Sequence, residues 1–162
     1  MFILASRLKN LPVLSLRNGY SVATVTTPVI ERDKLSVVAI YCKESRWNQT
    51  QRVIMARDIR EIALEGLVID SLEDIEDVGE IVRLKDVIDQ GFKLIGTCVV
   101  NESGNALGKV EDYTINVRGF EIQKIYVKQS ILKNILLNNL VIDRTQIINI
   151  TDKQITVRDA KI

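Results

Sequence analysis

Gly108-Lys-Val-Glu-Asp-Tyr-Thr-Ile115, then Arg118-Gly119, then Phe120-Glu-Ile-Gln-Lys-Ile-Tyr-Val127 is the stretch whose reading decides the fold. In the second run Phe120, Ile122, Ile125 and Val127 are apolar, and the alternation slips once at Lys124. That is the pattern of a strand carrying a bulge. Arg118-Gly119 turns the chain between the two runs. Upstream, Asn101-Glu-Ser-Gly-Asn105 reads as a hairpin turn in which Gly104 takes a positive φ. Downstream, Leu140–Ile150 and Gln154–Val157 read as two more strands around a turn at Thr151-Asp152-Lys153. Short strands at this spacing favour a small barrel or sandwich.

The same pattern occurs earlier in the chain. Shifted by 85 positions, Gly19 meets Gly104, Val25 meets Val110, Ile30 meets Ile115, and Ile40-Tyr41 meets Ile125-Tyr126. Lys43 and Ser45 meet Lys128 and Ser130. Apolar positions agree further: Val22 with Leu107, Leu35 with Phe120, Val37 with Ile122, Cys42 with Val127. At a shift of 88, Val53-Ile54 meets Val141-Ile142, Ile59 meets Ile147, Ile62 meets Ile150, Leu67 meets Ile155 and Ile69 meets Val157. The chain is therefore two copies of one unit. The second carries three extra residues in one loop, where Ser130–Leu136 reads as a helical turn.

Between the copies the character changes. Asp70 to Glu80 holds six acids and no base. Glu80–Gln90 then places Ile81, Leu84 and Ile88 on one helical face, and Gly91 supplies a stop. The spacing predicts a solvated acidic linker and a short helix docked by those three residues. The organisation expected is a first repeat over 1–72, linker and helix over 73–91, and a second repeat over 92–162.

Composition excludes several chemistries. There is no His, which removes Ser-His-Asp and Cys-His catalysis and every His-containing metal site. Cys42 and Cys98 lie far apart, with no C-x-x-C, and read as buried inert thiols. The 22 basic and 21 acidic residues nearly cancel, unlike a domain that holds nucleic acid by bulk charge. No apolar run approaches the ~20 residues of a spanning helix, and the apolar Met1–Ala5 is short for a signal peptide. A cytoplasmic protein is expected. The adjacent acids Glu111 and Asp112 point to opposite faces of a strand and cannot converge on one substrate. Gly104-x-x-x-Gly108-Lys109 lacks the spacing of a phosphate loop. Tyr41 and Tyr126 read as barrel packing.

One segment singles itself out as a partner-binding candidate. Trp47, the sole Trp, is flanked by Arg46 and Arg52 in a polar run. Trp and Arg carry binding hot spots, so one reading is an interface anchor. The other is a lid in which Trp47 caps the open end of the first barrel.

The second copy resembles the PRC-barrel family, through Leu94-Ile95-Gly96, Val99, Gly104, Leu107-Gly108-Lys109-Val110-Glu111-Asp112, Ile125-Tyr126-Val127 and Leu140–Ile147. This is the domain of the photosynthetic reaction-centre H subunit and of the C-terminal half of ribosome maturation factors. The first copy matches less well: Ala23 replaces the Gly of Gly-Lys-Val, and Asn10 sits near the Leu-Ile-Gly glycine. The resemblance implies an all-β chain of two tandem small barrels, each of about six strands. It implies binding of other macromolecules and supplies no catalytic residue, cofactor or metal. The function expected is a non-enzymatic module or scaffold that binds another protein. The alternative is a ribosome maturation or RNA-processing accessory factor. No small-molecule ligand is expected.

Overall fold

Turn residues cut the chain into short apolar-patterned runs, and these form strands almost throughout. The computed structural model describes residues 1–44, 50–129 and 139–158. The chain opens with β1 (Phe2–Leu4) and one helical turn, α1 (Ala5–Leu8). Next come β2 (Pro12–Ser15), β3 (Tyr20–Glu31), β4 (Ser36–Lys43), β5 (Arg52–Met55), β6 (Ile59–Ile62), β7 (Leu67–Ile69) and β8 (Glu76–Asp77). After α2 (Lys85–Gln90) come β9 (Cys98–Asn101), β10 (Ala106–Asn116), β11 (Ile122–Lys128), β12 (Leu140–Asp143), β13 (Ile147–Ile150) and β14 (Gln154–Val157). The fold class is all-β, in two sheets.

The two sheets share one plan. The first runs β6-β7-β2-β3-β4-β5, and the second β13-β14-β9-β10-β11-β12. Register agrees residue by residue. Tyr41 faces Thr27 and Val53, and its repeat mate Tyr126 faces Asp112 and Val141. The register shifts at Val25/Thr27 and Val29/Ile30 recur at Val110/Asp112 and Thr114/Ile115. The hairpin glycines Gly19 and Gly104 have φ of 74° and 81°, and the turn residues Leu35 and Phe120 have 47° and 55°. Ile40 and Ile125 are both fully buried, as equivalent placement requires.

In each sheet the last-placed strands are joined by a single 3-10 turn, Ala56–Asp58 or Arg144–Gln146. Three residues cannot span a flat six-stranded sheet at ~4.8 Å per strand, so each sheet must curl. Among the described residues no ladder links β5 to β6 or β12 to β13. The run Leu140–Ile150 is thus two strands, because Asp143 and Gln146 form a capping box around the 3-10 turn.

Two features depart from the expected organisation. Residues 2–4 pair with β10 of the second sheet, Phe2 opposite Asn116 and Leu4 opposite Thr114. The acidic stretch is folded onto the first sheet instead of being a bare linker. Ser71 and Asp74 form a capping box, Ile75 is buried, and β8 pairs with β5. The helix is shorter than predicted: two 3-10 turns, Val78–Glu80 and Val82–Leu84, precede α2, which ends at Gly91 with φ 59°. Ile81 and Leu84 are buried and Ile88 half-buried, against Val29, Ala39 and Val53. This covering segment explains an asymmetry. Val53 is 0% exposed, whereas its mate Val141, with no such cover among the described residues, is 46% exposed. The expected helical turn at Ser130–Leu136 lies outside the described residues.

Candidate functional site: the seam between the halves

Most of the buried apolar residues of both halves belong to one continuous cluster, with Ala5 and Leu8 of α1 inside it. The halves meet at equivalent hairpins. Val37 N–H donates to Phe120 O at 2.8 Å, and Ile122 N–H donates to Leu35 O at 3.0 Å. Ser36 bridges Glu121 between them. A shift of 85 carries Leu35, Ser36 and Val37 onto Phe120, Glu121 and Ile122, so the contact is a local two-fold.

Two clefts flank this contact and are also repeat mates. One lies between the Lys34 turn and β13, with a volume of about 380 Å³. The other lies between the Gly119 turn and β6, at about 780 Å³. Arg144 lines the narrower one and bridges its two sides. Its guanidinium donates to Leu35 O at 2.9 Å, Ile122 O at 3.2 Å and Lys34 O at 2.6 Å. Arg32 closes the same side by pairing with Asp33 and Asp152. The residue equivalent to Arg144 in the wide cleft is Ala56, whose methyl side chain has no donor to offer. The wide cleft is therefore the more open, with Met55, Ile59, Ile62 and Phe120 on its walls and Arg57, Glu61 and Arg118 at its rim. Sequence reading missed this site, although aligning Ala56 with Arg144 at the shift of 88 would have exposed the asymmetry.

A third cavity, of about 430 Å³, lies between β3, α2 and the lead-in to β9. Val29, Ile30, Leu94 and the ring of Tyr113 give it an apolar wall. Burial raises the hydroxyl pKa of both Tyr41 and Tyr113, so both stay neutral.

The residues expected to bind a partner are placed as follows. Arg46 and Trp47 lie outside the described residues. Arg52, on β5, is held inside the chain. It donates to Ile75 O at 2.9 Å and lies 3.6 Å from Glu44 and 3.3 Å from Asp77. The Asp77 contact is an ion pair whose angle is too poor for a hydrogen bond. Arg52 thereby ties the covering segment to the sheet edge.

The acidic pair diverges. Asp112 accepts from the Ser6 backbone N–H at 3.1 Å and the Ser6 hydroxyl at 2.6 Å, while Glu111 faces Lys128 and Asn139. Among the described residues no group of three or more His, Cys, Asp or Glu could hold a metal ion. Cys42 is fully buried, and desolvation pushes its thiol up to about 12. Cys98 departs from the reading of buried thiols: it stands at the start of β9 and is half-exposed. No helix among the described residues is long and apolar enough to cross a membrane. No family model matches the chain, and no curated protein matches it.

Proposed function

We propose that the chain is a non-enzymatic protein-binding module of two PRC-type barrels, over 1–72 and 92–162, joined by the segment 73–91. Its partner enters the wide cleft between the halves. The observation that carries this reading is the broken symmetry of the two clefts: Arg144 narrows one to about 380 Å³, and Ala56 leaves the other at about 780 Å³, with an apolar floor and charged residues at its rim. Interfaces of this kind centre on apolar and arginine contacts. The resemblance to a family of macromolecule-binding barrels agrees with it, and the setting we propose is the cytoplasm.

The test is affinity capture from the native host with wild type and with Ala56→Arg, which places in the wide cleft the side chain that bridges its mate. A specific protein retained by wild type and lost by the variant is expected. Recovery of no specific protein at low salt overturns the reading. So does cosedimentation with ribosomal subunits in place of protein capture.

A further inference from the structure

The repeat is broken a second time, at the edge of β3. In the second sheet, β10 is flanked along its C-terminal part by β11 on one side and β1 on the other. Leu4, Ile3 and Phe2 stand opposite Thr114, Ile115 and Asn116. The equivalent residues of β3 are Val29, Ile30 and Glu31. They pair with β4 on one side, and among the described residues no strand pairs with them on the other.

The chain segment that could supply that strand is helical. A shift of 86, which aligns β2 with β9, carries Phe2–Leu4 onto Ile88–Gln90. Those residues form the end of α2, stopped at Gly91. A helix follows a different path from a strand, and the cavity of about 430 Å³ is left beside β3. Val29, Ile30 and Tyr41 form its sheet wall; Val87 and Ile88 face them from α2.

Pro28 agrees with an edge that carries no added strand; Val29 and Ile30 are buried facing α2, so an incoming segment has to enter by the cavity between strand and helix. A proline has no N–H to give a neighbouring strand and is confined to sheet edges and bulges. Its mate Tyr113 keeps its N–H and donates it to the Asp112 carboxylate at 2.8 Å. Beyond Pro28, Ile30 occupies the position at which Ile115 meets Ile3.

We propose that the edge of β3 at Val29–Glu31 is a strand-addition site that takes an extended apolar segment, about three residues long, from a protein partner. The proposal rests on the reading of the chain as a protein-binding module and names the chemistry of what it binds. Three residues in extended form span ~10 Å, the reach of β1 on β10. Main-chain hydrogen bonds at Ile30 supply the pairing, and the apolar wall takes the alternate side chains. The occupant is apolar at two of its three residues because the same contact in the second half is made by half-buried Ile3 and Leu4, while Phe2 is exposed.

The experiment uses the full chain, isotopically labelled, and a blocked peptide with the sequence of residues 1–9, whose Ser6, Arg7 and Lys9 keep it soluble. The amides of Ile30, Val87 and Ile88 are expected to shift on titration up to the order of 1 mM. The peptide carrying Ile3→Pro, which lacks the central N–H, is expected to bind about tenfold more weakly. Equal binding of the two peptides overturns strand addition. No shift at Ile30, or shifts confined to Thr114–Asn116 where the peptide would displace β1, does the same. Capture of a partner that is lost in Ala56→Arg, with no peptide reaching Ile30, sinks this site and leaves the cleft standing. Peptide bound at Ile30 in a protein that captures nothing sinks the cleft and supports the edge site.

Discussion

Replacing Arg144 by Ala asks what holds the two halves in register. The guanidinium donates to three carbonyls, Leu35, Ile122 and Lys34, two of them in the opposite half. A hydrogen bond from a charged donor contributes about 1.5–3 kcal/mol. The three do not add. Leu35 O keeps the Ile122 N–H at 3.0 Å, and the Lys34 contact is exposed, so its carbonyl regains water. Truncation should therefore cost about 2–4 kcal/mol, from the lost donor and from the Ile122 carbonyl left short of a partner. For a chain of this length that is a fall in Tm of about 5–15 °C. Urea unfolding followed by circular dichroism should show a lower midpoint at unchanged slope, since the surface exposed on unfolding is the same. Arg144→Lys should recover little, because a compact ammonium cannot reach three carbonyls at once. Ala56→Arg should be at least as stable as wild type, since it offers the same fork to the equivalent carbonyls of Phe120, Val37 and Gly119. An Arg144→Ala protein within about 0.5 kcal/mol of wild type would refute the reasoning.

Three further outcomes follow from particular residues. Gly108→Ala should destabilise by about 2 kcal/mol or more in the same assay: φ is 149°, and a Cβ would sit 2.2 Å from Lys128 O, whereas Ala23 already occupies the equivalent position in the first copy. In the native protein an aromatic disulfide reagent should titrate Cys98 quickly and Cys42 only after unfolding, because Cys42 is fully buried with its thiol pushed up to about 12; fast labelling of both would contradict the burial. Asp143 is held below the usual carboxylate range by the N–H and hydroxyl of Thr145, and Asp70 by Arg60. Depressed folded values mean that their contribution is present above the unfolded pKa near 4 and is lost as pH falls through the folded value. Asp143→Asn should thus flatten the fall of Tm below about pH 4, and an unchanged acid limb would exclude the role.

Much of the fold was legible in the chain because its causes are local and occur twice. Strand pairing follows from which positions are apolar, and a one-residue slip would turn each strand inside out. The shifts of 85 and 88 thus aligned Gly19 with Gly104 and Tyr41 with Tyr126, and the structure gives each pair equivalent places, whereas the 3-10 turn that splits Leu140–Ile150 was not legible. Even Asn10, out of place beside the Leu-Ile-Gly glycine, carries a φ of 69° against 86° at Gly96. The candidate sites were not legible in that way. Val53 and Val141 have the same pattern, yet one is covered and the other bare, because periodicity marks an apolar face without naming the element that lands on it. Nothing in Phe2–Leu4 says that it pairs 112 positions away with Asn116–Thr114. Arg144 reads as a surface arginine until the two-fold contact brings the Leu35 turn beneath it. By itself the sequence determined two copies of one strand plan, through steric and apolar patterns acting over a few residues. Only the tertiary structure decided the crossing of Phe2–Leu4 onto β10, the wide cleft at Ala56 and the edge of β3 that no strand among the described residues pairs with, because each depends on where one copy ends up against the other.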